Sequence, residues 1–576
     1  MLRDDDRYYI PDNNPQDGTV PYQIEEPQPE NNVFEIALVM AGAISAGNHT
    51  AGALDFLFET LDAWEKEKAK GNKNVPHHKV RIRVIAGASA GSMNAAIAAG
   101  ALQYDFPHLR PGMDPASLNN PFYTGWVKDI DISKLLTTDD IEQSGVVTSL
   151  LNCNVLQAIA NKALNYASVP IDRPYLHDRV RFIFTQTSLQ GSPYYFSIKG
   201  NADAGQSMVL HRTWASFSVN YKGQTIFKRR PDDIPLDPSY IKRTQVASWV
   251  ELGNAALASG AFPLALAPRL EKRDPNALNY RFVITTAPGE PNIKVRQLKP
   301  HWPSPLPVTI NEYIADGGIL DNEPMELARK EMAGLACSNP RDGRKANRAT
   351  ILMDPFPKTA ISDREVRSEP LTLVSSVKGI FMTAYQQLRF NPDDLALAMD
   401  DEVYSRFLIS PVRSVDSNNP VSTENAMASG SLGGFGGFLS EEYRHHDYML
   451  GRRNCQQFLR EHFSLKSENP LFVAGDTHTP TGKGEYPIIP LVEAVQQEEP
   501  LPAWPTISID IDQLMEKADK RLRVALSASI RTVKFSGFLA WFLALPFIRN
   551  KLLAMLINSL KTRIQDDLKK NHLPWH

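Results

Sequence analysis

The 576-residue chain is 42% hydrophobic and has a formal net charge of -3. That is apolar material for one large core or two smaller ones, since single cores stop growing near about 250–300 residues. The near-balance of charge excludes a general nucleic-acid binder, which shows a strongly basic face. Cys153, Cys337 and Cys455 lie far apart with no CxxC pair, so neither a disulfide framework nor a zinc site is expected.

The segment MLRDDDRYYIPDNN and its continuation to residue 33 are acidic and rich in Pro and Asn. They lack the basic start and apolar run of a secretory signal. A polar, poorly ordered arm over 1–33 and a cytoplasmic protein are the expectations.

Phe34–Met40 (FEIALVM) is a short apolar run, the pattern of a buried strand, and a small-residue loop, AGAISAG, follows it. From Asn48 to Lys68, Leu54, Leu57, Phe58, Leu61 and Trp64 recur at helical spacing. Val80–Ala86 (VRIRVIA) predicts the next strand, which breaks at GASAGS and runs into the Ala-rich helix SMNAAIAAGAL. Strand, helix, strand, helix in close succession is the pattern of a parallel α/β sheet. Further strands are expected at Val180–Thr187, Tyr194–Ile198, Ala349–Met353 and Arg406–Ile409, with helical insertions at about 105–175 and 362–400. The Gly-rich run Ser429–Phe438 reads as a flexible turn, because no GK[ST] follows it. A helix is expected around EEYRHHDYMLGRRNCQQFLREHF, and 466–505 reads as a polar linker.

The tail, 506–576, differs in character. Glu516 to Lys570 holds twelve Lys or Arg against four Asp or Glu, a surplus of eight. These surround FSGFLAWFLALPFI (Phe535–Ile548), which is shorter than the roughly 20 residues a spanning helix needs. Basic residues flanking an apolar helix suit an element lying at an anionic bilayer surface, so 531–563 is expected to make peripheral membrane contact. The competing expectation is a helical hairpin packed on the catalytic domain or on a second copy in a homo-oligomer.

Gly87-Ala88-Ser89-Ala90-Gly91 matches GxSxG between an apolar strand and a helix. A serine on so sharp a turn takes strained backbone angles, and only small neighbours avoid a clash, hence Gly87 and Gly91. The free N–H groups of the following helix favour negative charge at that point. A second element, Asp316-Gly317-Gly318, puts an acid at a strand end with two unobstructing glycines, although Asp-Gly by itself commonly forms a turn.

In order along the chain, a small-residue loop after the first strand, GxSxG about 40 residues later and DGG much further on resemble the patatin-like phospholipase family. Ala255–Arg269 (AALASGAFPLALAPR) and His446–Leu459 (HDYMLGRRNCQQFL) are similar to its bacterial branch. The resemblance covers about 34–465 and implies a three-layer α/β sandwich with a mostly parallel central sheet, followed by a helical C-terminal extension. It also implies a Ser-Asp dyad: Ser89 as nucleophile, Asp316 as its base, and an acyl-enzyme hydrolysed without metal or organic cofactor. The substrate class implied is membrane or micellar phospholipid, in a phospholipase A or lysophospholipase reaction. The family's oxyanion loop reads GGGxRG or GGGxKG, whereas this chain has Gly42-Ala43-Ile44-Ser45-Ala46-Gly47. Backbone amides make an oxyanion hole, and Ala substitutes for Gly where φ is negative, so Gly42, Ala43 and Ile44 remain the expected donors.

The alternatives are an esterase or thioesterase for soluble acyl groups, a decayed regulatory or binding protein, and a triad completed by His445, His446 or His462. His445 and His446 are adjacent in a helix and point apart, which favours structural roles. His49 reads as a member of the first helix turn.

Overall fold

The computed structural model describes residues 26–197, 205–222, 232–279, 281–284, 295–302, 305, 307–336, 339–356, 400, 402–413, 426–472, 476–532 and 546–576. Most of the expected arm, the insertion at 362–400 except its last residue, and all but the end of Phe535–Ile548 lie outside these residues.

Along the chain come β1 (Val33–Met40), α1 (Gly47–Ala69), β2 (Lys79–Gly87), α2 (Ala90–Ala101) and α3 (Cys153–Leu164). Next are β3 (Leu176–Ser197), β4 (Gly205–Val219), β5 (Ile234–Leu236), α4 (Ala247–Ser259), β6 (Arg269–Arg273) and β7 (Ile310–Asp316). The remaining main elements are α5 (Met325–Ala333), β8 (Arg348–Met353), β9 (Arg406–Ile409), α6 (Glu441–Glu461), α7 (Ile511–Thr532) and α8 (Pro546–Lys570). The sheet runs β9-β8-β1-β2-β3-β4-β5, parallel from β9 to β3, with β4 antiparallel to β3. Midway along its length β3 also pairs antiparallel with β7, whose other edge carries β6.

The central strand β1 is buried on both faces, as strands of parallel sheets are. Its Phe34, Ile36, Leu38 and Met40 enter the main core with α1, α2 and α6, while Ala37 and Val39 meet α5 on the opposite face. These two faces make the expected three-layer α/β sandwich with its mostly parallel sheet. The two strands expected within 180–198 form one long strand, β3, whose register slips between Thr187 and Ser192, where Gly191 has φ +71°. One positive-φ glycine bends the strand without ending it.

Helices α1 and α6 cross at glycines. A Cβ on Gly52 would lie 1.9 Å from the Tyr448 carbonyl oxygen, and one on Gly451 would lie 2.0 Å from that of His49. Beside this crossing Arg452 is fully buried, donating to Asp55 (2.6 Å), Glu59 (2.6 Å) and Glu499 (2.7 Å). Burial pushes the Asp55 carboxyl up, but the His108 and Arg452 charges outweigh it and hold the group at about 2.

The stretch 466–505 is not the linker its composition suggests. Leu471, Ile488, Ile489, Val492 and Val495 belong to the main core, and Glu499 reaches the buried Arg452. A few apolar side chains dispersed among Pro and Glu suffice to seat a strap that has no periodicity of its own. In the tail, Leu514, Met515 and Ala518 of α7 and Ile564 and Leu568 of α8 cluster with Ala428 and Tyr443. The described part of the tail is thus a helical pair packed on the catalytic domain. No helix among the described residues is long and apolar enough to cross a membrane.

Candidate active site

Ser89 sits between the C-terminal end of β2 and the first turn of α2, at φ 51° and ψ -120°. For a non-glycine residue this is a strained conformation of the kind that concentrates at functional sites. Its neighbours have no room for side chains: a Cβ on Gly87 would fall 2.4 Å from the Gly91 carbonyl carbon, and one on Gly91 would fall 2.2 Å from the Met40 carbonyl oxygen. The Ser89 amide donates to Ser259 Oγ at 2.9 Å, and Ser259 is itself 2.8 Å from Ser92 Oγ.

Asp316 ends β7, and the structure brings it to Ser89: the serine Oγ donates to Asp316 Oδ2 at 3.0 Å, with both residues buried. The other carboxylate oxygen accepts the Gly318 amide at 2.7 Å, the Asp316 amide donates to the Ala261 carbonyl at 3.1 Å, and its carbonyl accepts from Thr187 Oγ1 at 2.8 Å. Gly317 lies against β3, where a Cβ would meet the Thr185 carbonyl oxygen at 2.1 Å. The β3–β7 pairing puts Asp316 opposite Gln186, so sheet register carries the carboxylate to the elbow.

Gly42 also touches the nucleophile, since a Cβ there would be 3.0 Å from Ser89 Cβ and 2.5 Å from Asn322 Oδ1. Its amide, however, donates to the Asn322 carbonyl at 3.3 Å, which commits one of the three expected oxyanion donors elsewhere. Ala43 takes φ -146°, as an alanine in this loop should, but Ile44 adopts φ 52°. A β-branched residue in the left-handed region is a true outlier. Ala90, next after Ser89, begins α2, and the first amides of a helix have no intrahelical acceptor.

Ile44, Ser89 and Ala90 line a small apolar cavity, together with Leu135, Leu156, Leu266, Phe435 and Phe438 among others. A second apolar cavity, between α2, α3 and α4, shares Met93, Trp126, Ile130 and Leu156 with the first. The Gly-rich run that reads as a flexible turn is a wall of this site. Ser429, Ser431, Gly436 and Phe438 are buried, and Asp447 of α6 accepts the amides of Ala428 (3.0 Å) and Ser429 (2.7 Å). Spacing gave no sign of this, because the anchors lie on another element.

The histidines are engaged away from Ser89. His445 Nδ1 is 2.8 Å from the Tyr123 hydroxyl, His446 Nδ1 is 2.6 Å from Asp447, and His49 Nε2 is 3.0 Å from Asn454. Burial lowers the pKa of His49 and of His445. His462 is exposed at the end of α6.

A strand-elbow-helix serine facing a strand-end aspartate on a three-layer α/β sheet defines a class of serine acyl hydrolases. The family model described as patatin-like phospholipase matches residues 38–329. The chain belongs to that family, and its general activity is hydrolysis of lipid acyl esters. A protein from Sinorhizobium fredii (strain NBRC 101917 / NGR234), "Uncharacterized protein y4iI", is 33% identical over 553 residues, spanning 86% of this chain and 76% of its own length. Among solved structures, VipD from Legionella pneumophila aligns at 13% identity over 94% of this chain and 91% of its own. Its TM-score is 0.22.

Proposed function

We propose that the protein is a phospholipase A or lysophospholipase that works through a Ser89–Asp316 dyad. The observation that carries this reading is the 3.0 Å hydrogen bond from Ser89 Oγ to Asp316, with Ser89 lining an apolar cavity. In the forward step Asp316 takes the hydroxyl proton as Ser89 Oγ bonds to the ester carbonyl carbon. Collapse of the tetrahedral intermediate breaks the bond to the alcohol oxygen, which leaves with that proton. Water then adds to the acyl-enzyme, giving a proton to Asp316, and the fatty acid departs as Ser89 is reprotonated. The developing oxyanion is met by the amides of Ala43, Ile44 and Ala90. The two adjoining cavities suit an acyl chain, which needs apolar walls rather than polar partners.

Phospholipid at a bilayer or micelle surface is the proposed substrate, and the tail is its proposed peripheral contact. On α8, Met555, Leu556 and Leu560 are exposed and lie between Lys551 and the pair Lys561 and Arg563. Vesicles containing anionic lipid should sediment the full chain, and Leu556→Ser should weaken that binding. Unchanged sedimentation would remove α8 from the contact.

The central test is mass spectrometry of products from mixed phospholipids. Wild type should release fatty acid and lysophospholipid, or glycerophosphodiester if lysophospholipid is the substrate, and Ser89→Ala should release neither. Release by wild type from soluble esters or thioesters alone would favour the soluble-acyl reading. Equal release by the two chains would reject the dyad.

A further inference from the structure

Where the family has a glycine-rich oxyanion loop, this chain has Ala43, Ile44 and Ser45, and Ile44 holds φ 52°. An isoleucine stays in that region only when its surroundings over-determine it. Those surroundings are the segment 428–438. Ser45, which is buried, donates its hydroxyl to the Gly434 carbonyl and accepts the Gly437 amide at 3.0 Å. The approach is close on both sides: a Cβ on Gly437 would fall 2.7 Å from Ser45 Oγ, and one on Gly434 would fall 3.4 Å from Ile44 Cδ1. One turn further along α1, Asn48 donates to Ser429 Oγ at 2.9 Å.

The segment is in turn held from the tail. Leu432, Gly433 and Gly434 all have positive φ, and the Leu432 amide donates to Asp567 of α8 at 2.5 Å. Asp447 fixes the other end of the segment, as described above. Hydrogen bonds thus tie α8 to segment 428–438 and that segment to the oxyanion loop.

We propose that Ser45 is a positioning residue: it staples the oxyanion loop to segment 428–438, and through Asp567 to the tail, and so imposes on Ile44 a conformation that glycine would take unaided. The proposal rests on the acyl-hydrolase reading of Ser89. Replacing Ser45 removes the staple, Ile44 relaxes toward negative φ, and its amide leaves the oxyanion position. Glycine at position 44 has no such preference, so it should tolerate loss of the staple.

The experiment uses the full chain, a short soluble ester such as p-nitrophenyl butyrate, and the rate at which a fluorophosphonate labels Ser89, read by intact mass. Labelling also needs a phosphoryl oxygen in the oxyanion hole, so it reports on the loop even where turnover is slow. For Ser45→Ala we expect kcat and the labelling rate to fall by roughly tenfold or more with KM changed less than about twofold. Ile44→Gly added to Ser45→Ala should recover at least about a third of the lost rate, which a purely structural role for Ser45 would not allow. Asp567→Ala, remote from the cavity, removes the acceptor of the Leu432 amide and should give a smaller loss of the same kind, and it carries the test if Ser45→Ala does not fold. Wild-type kcat and labelling in folded Ser45→Ala would overturn the proposal, as would failure of Ile44→Gly to recover any rate. If Ser45→Ala does not fold, wild-type rates in Asp567→Ala overturn it. Failure of the wild type to label, or labelling of Ser89→Ala, would instead overturn the reading of Ser89 itself, and the staple with it.

Discussion

The two halves of the site are built in opposite ways. The elbow around Ser89 comes from a strand and a helix adjacent in the chain, and its shape follows from two glycines within two residues of the serine. The loop Gly42–Gly47 also follows a strand and opens a helix, yet it takes its shape from a carbonyl 389 residues downstream. Local steric necessity makes the elbow recognisable anywhere it occurs. A loop held by distant hydrogen bonds can lose its glycines and keep its geometry, because the strain at Ile44 is offset by contacts that the local sequence does not contain.

The sharpest way to break the comparison is at the chemistry. Ser89→Ala and Asp316→Asn should each lower kcat on a soluble ester by about 10³-fold or more with little change in melting temperature, since neither empties core volume. Substantial activity in Asp316→Asn would detach Asp316 from the dyad.

Arg452→Met is expected to destabilise the fold by about 3–5 kcal/mol, because it leaves the buried Glu499 without its cation and leaves Asp55 and Glu59 only His108 and Arg110. Chemical denaturation measures it, and a loss below about 1 kcal/mol would show that water reaches the cluster. Gly91→Ala should cost somewhat less, about 1–3 kcal/mol, because its Cβ collides with the backbone of β1. In this variant stability and activity should fall together.

Gly437→Ala separates the halves. Its Cβ would crowd Ser45 and Ser429 rather than backbone, so kcat should drop by about tenfold while the melting temperature moves only a few degrees. A fall in stability as large as that of Gly91→Ala would mean that the two sides are equally embedded in the fold.

The smallest expected effect is on pH dependence. The folded Asp55 carboxyl is held at about 2, below its unfolded value of about 3.9. Its stabilising contribution is therefore complete above the unfolded value and is lost as pH falls toward 2. Between pH 5 and pH 2 wild type should lose more melting temperature than Asp55→Asn. Parallel curves would assign acid unfolding to other groups.

Apolar runs and helical spacing determined the order of strand and helix through α2 and the parallel sheet, and the GxSxG motif between a strand and a helix determined the elbow. These depend on contacts between neighbours in sequence or on burial of whole faces. The glycines around Ser89, required by backbone collisions, also marked the serine, whereas Asp-Gly-Gly by itself reads as a turn and only the family resemblance marked Asp316. Only the tertiary structure decided that Asp316 lies 3.0 Å from Ser89, since the register of β7 on β3 sets that distance and no spacing along the chain encodes it. The same holds for the Gly42 amide given over to Asn322, for the strap at 466–505 seated in the core, and for the Gly-rich segment 428–438 built into the cavity wall. In each case the partner is hundreds of residues away or on the far side of a helix, and composition reports what a segment is made of without saying what it will meet.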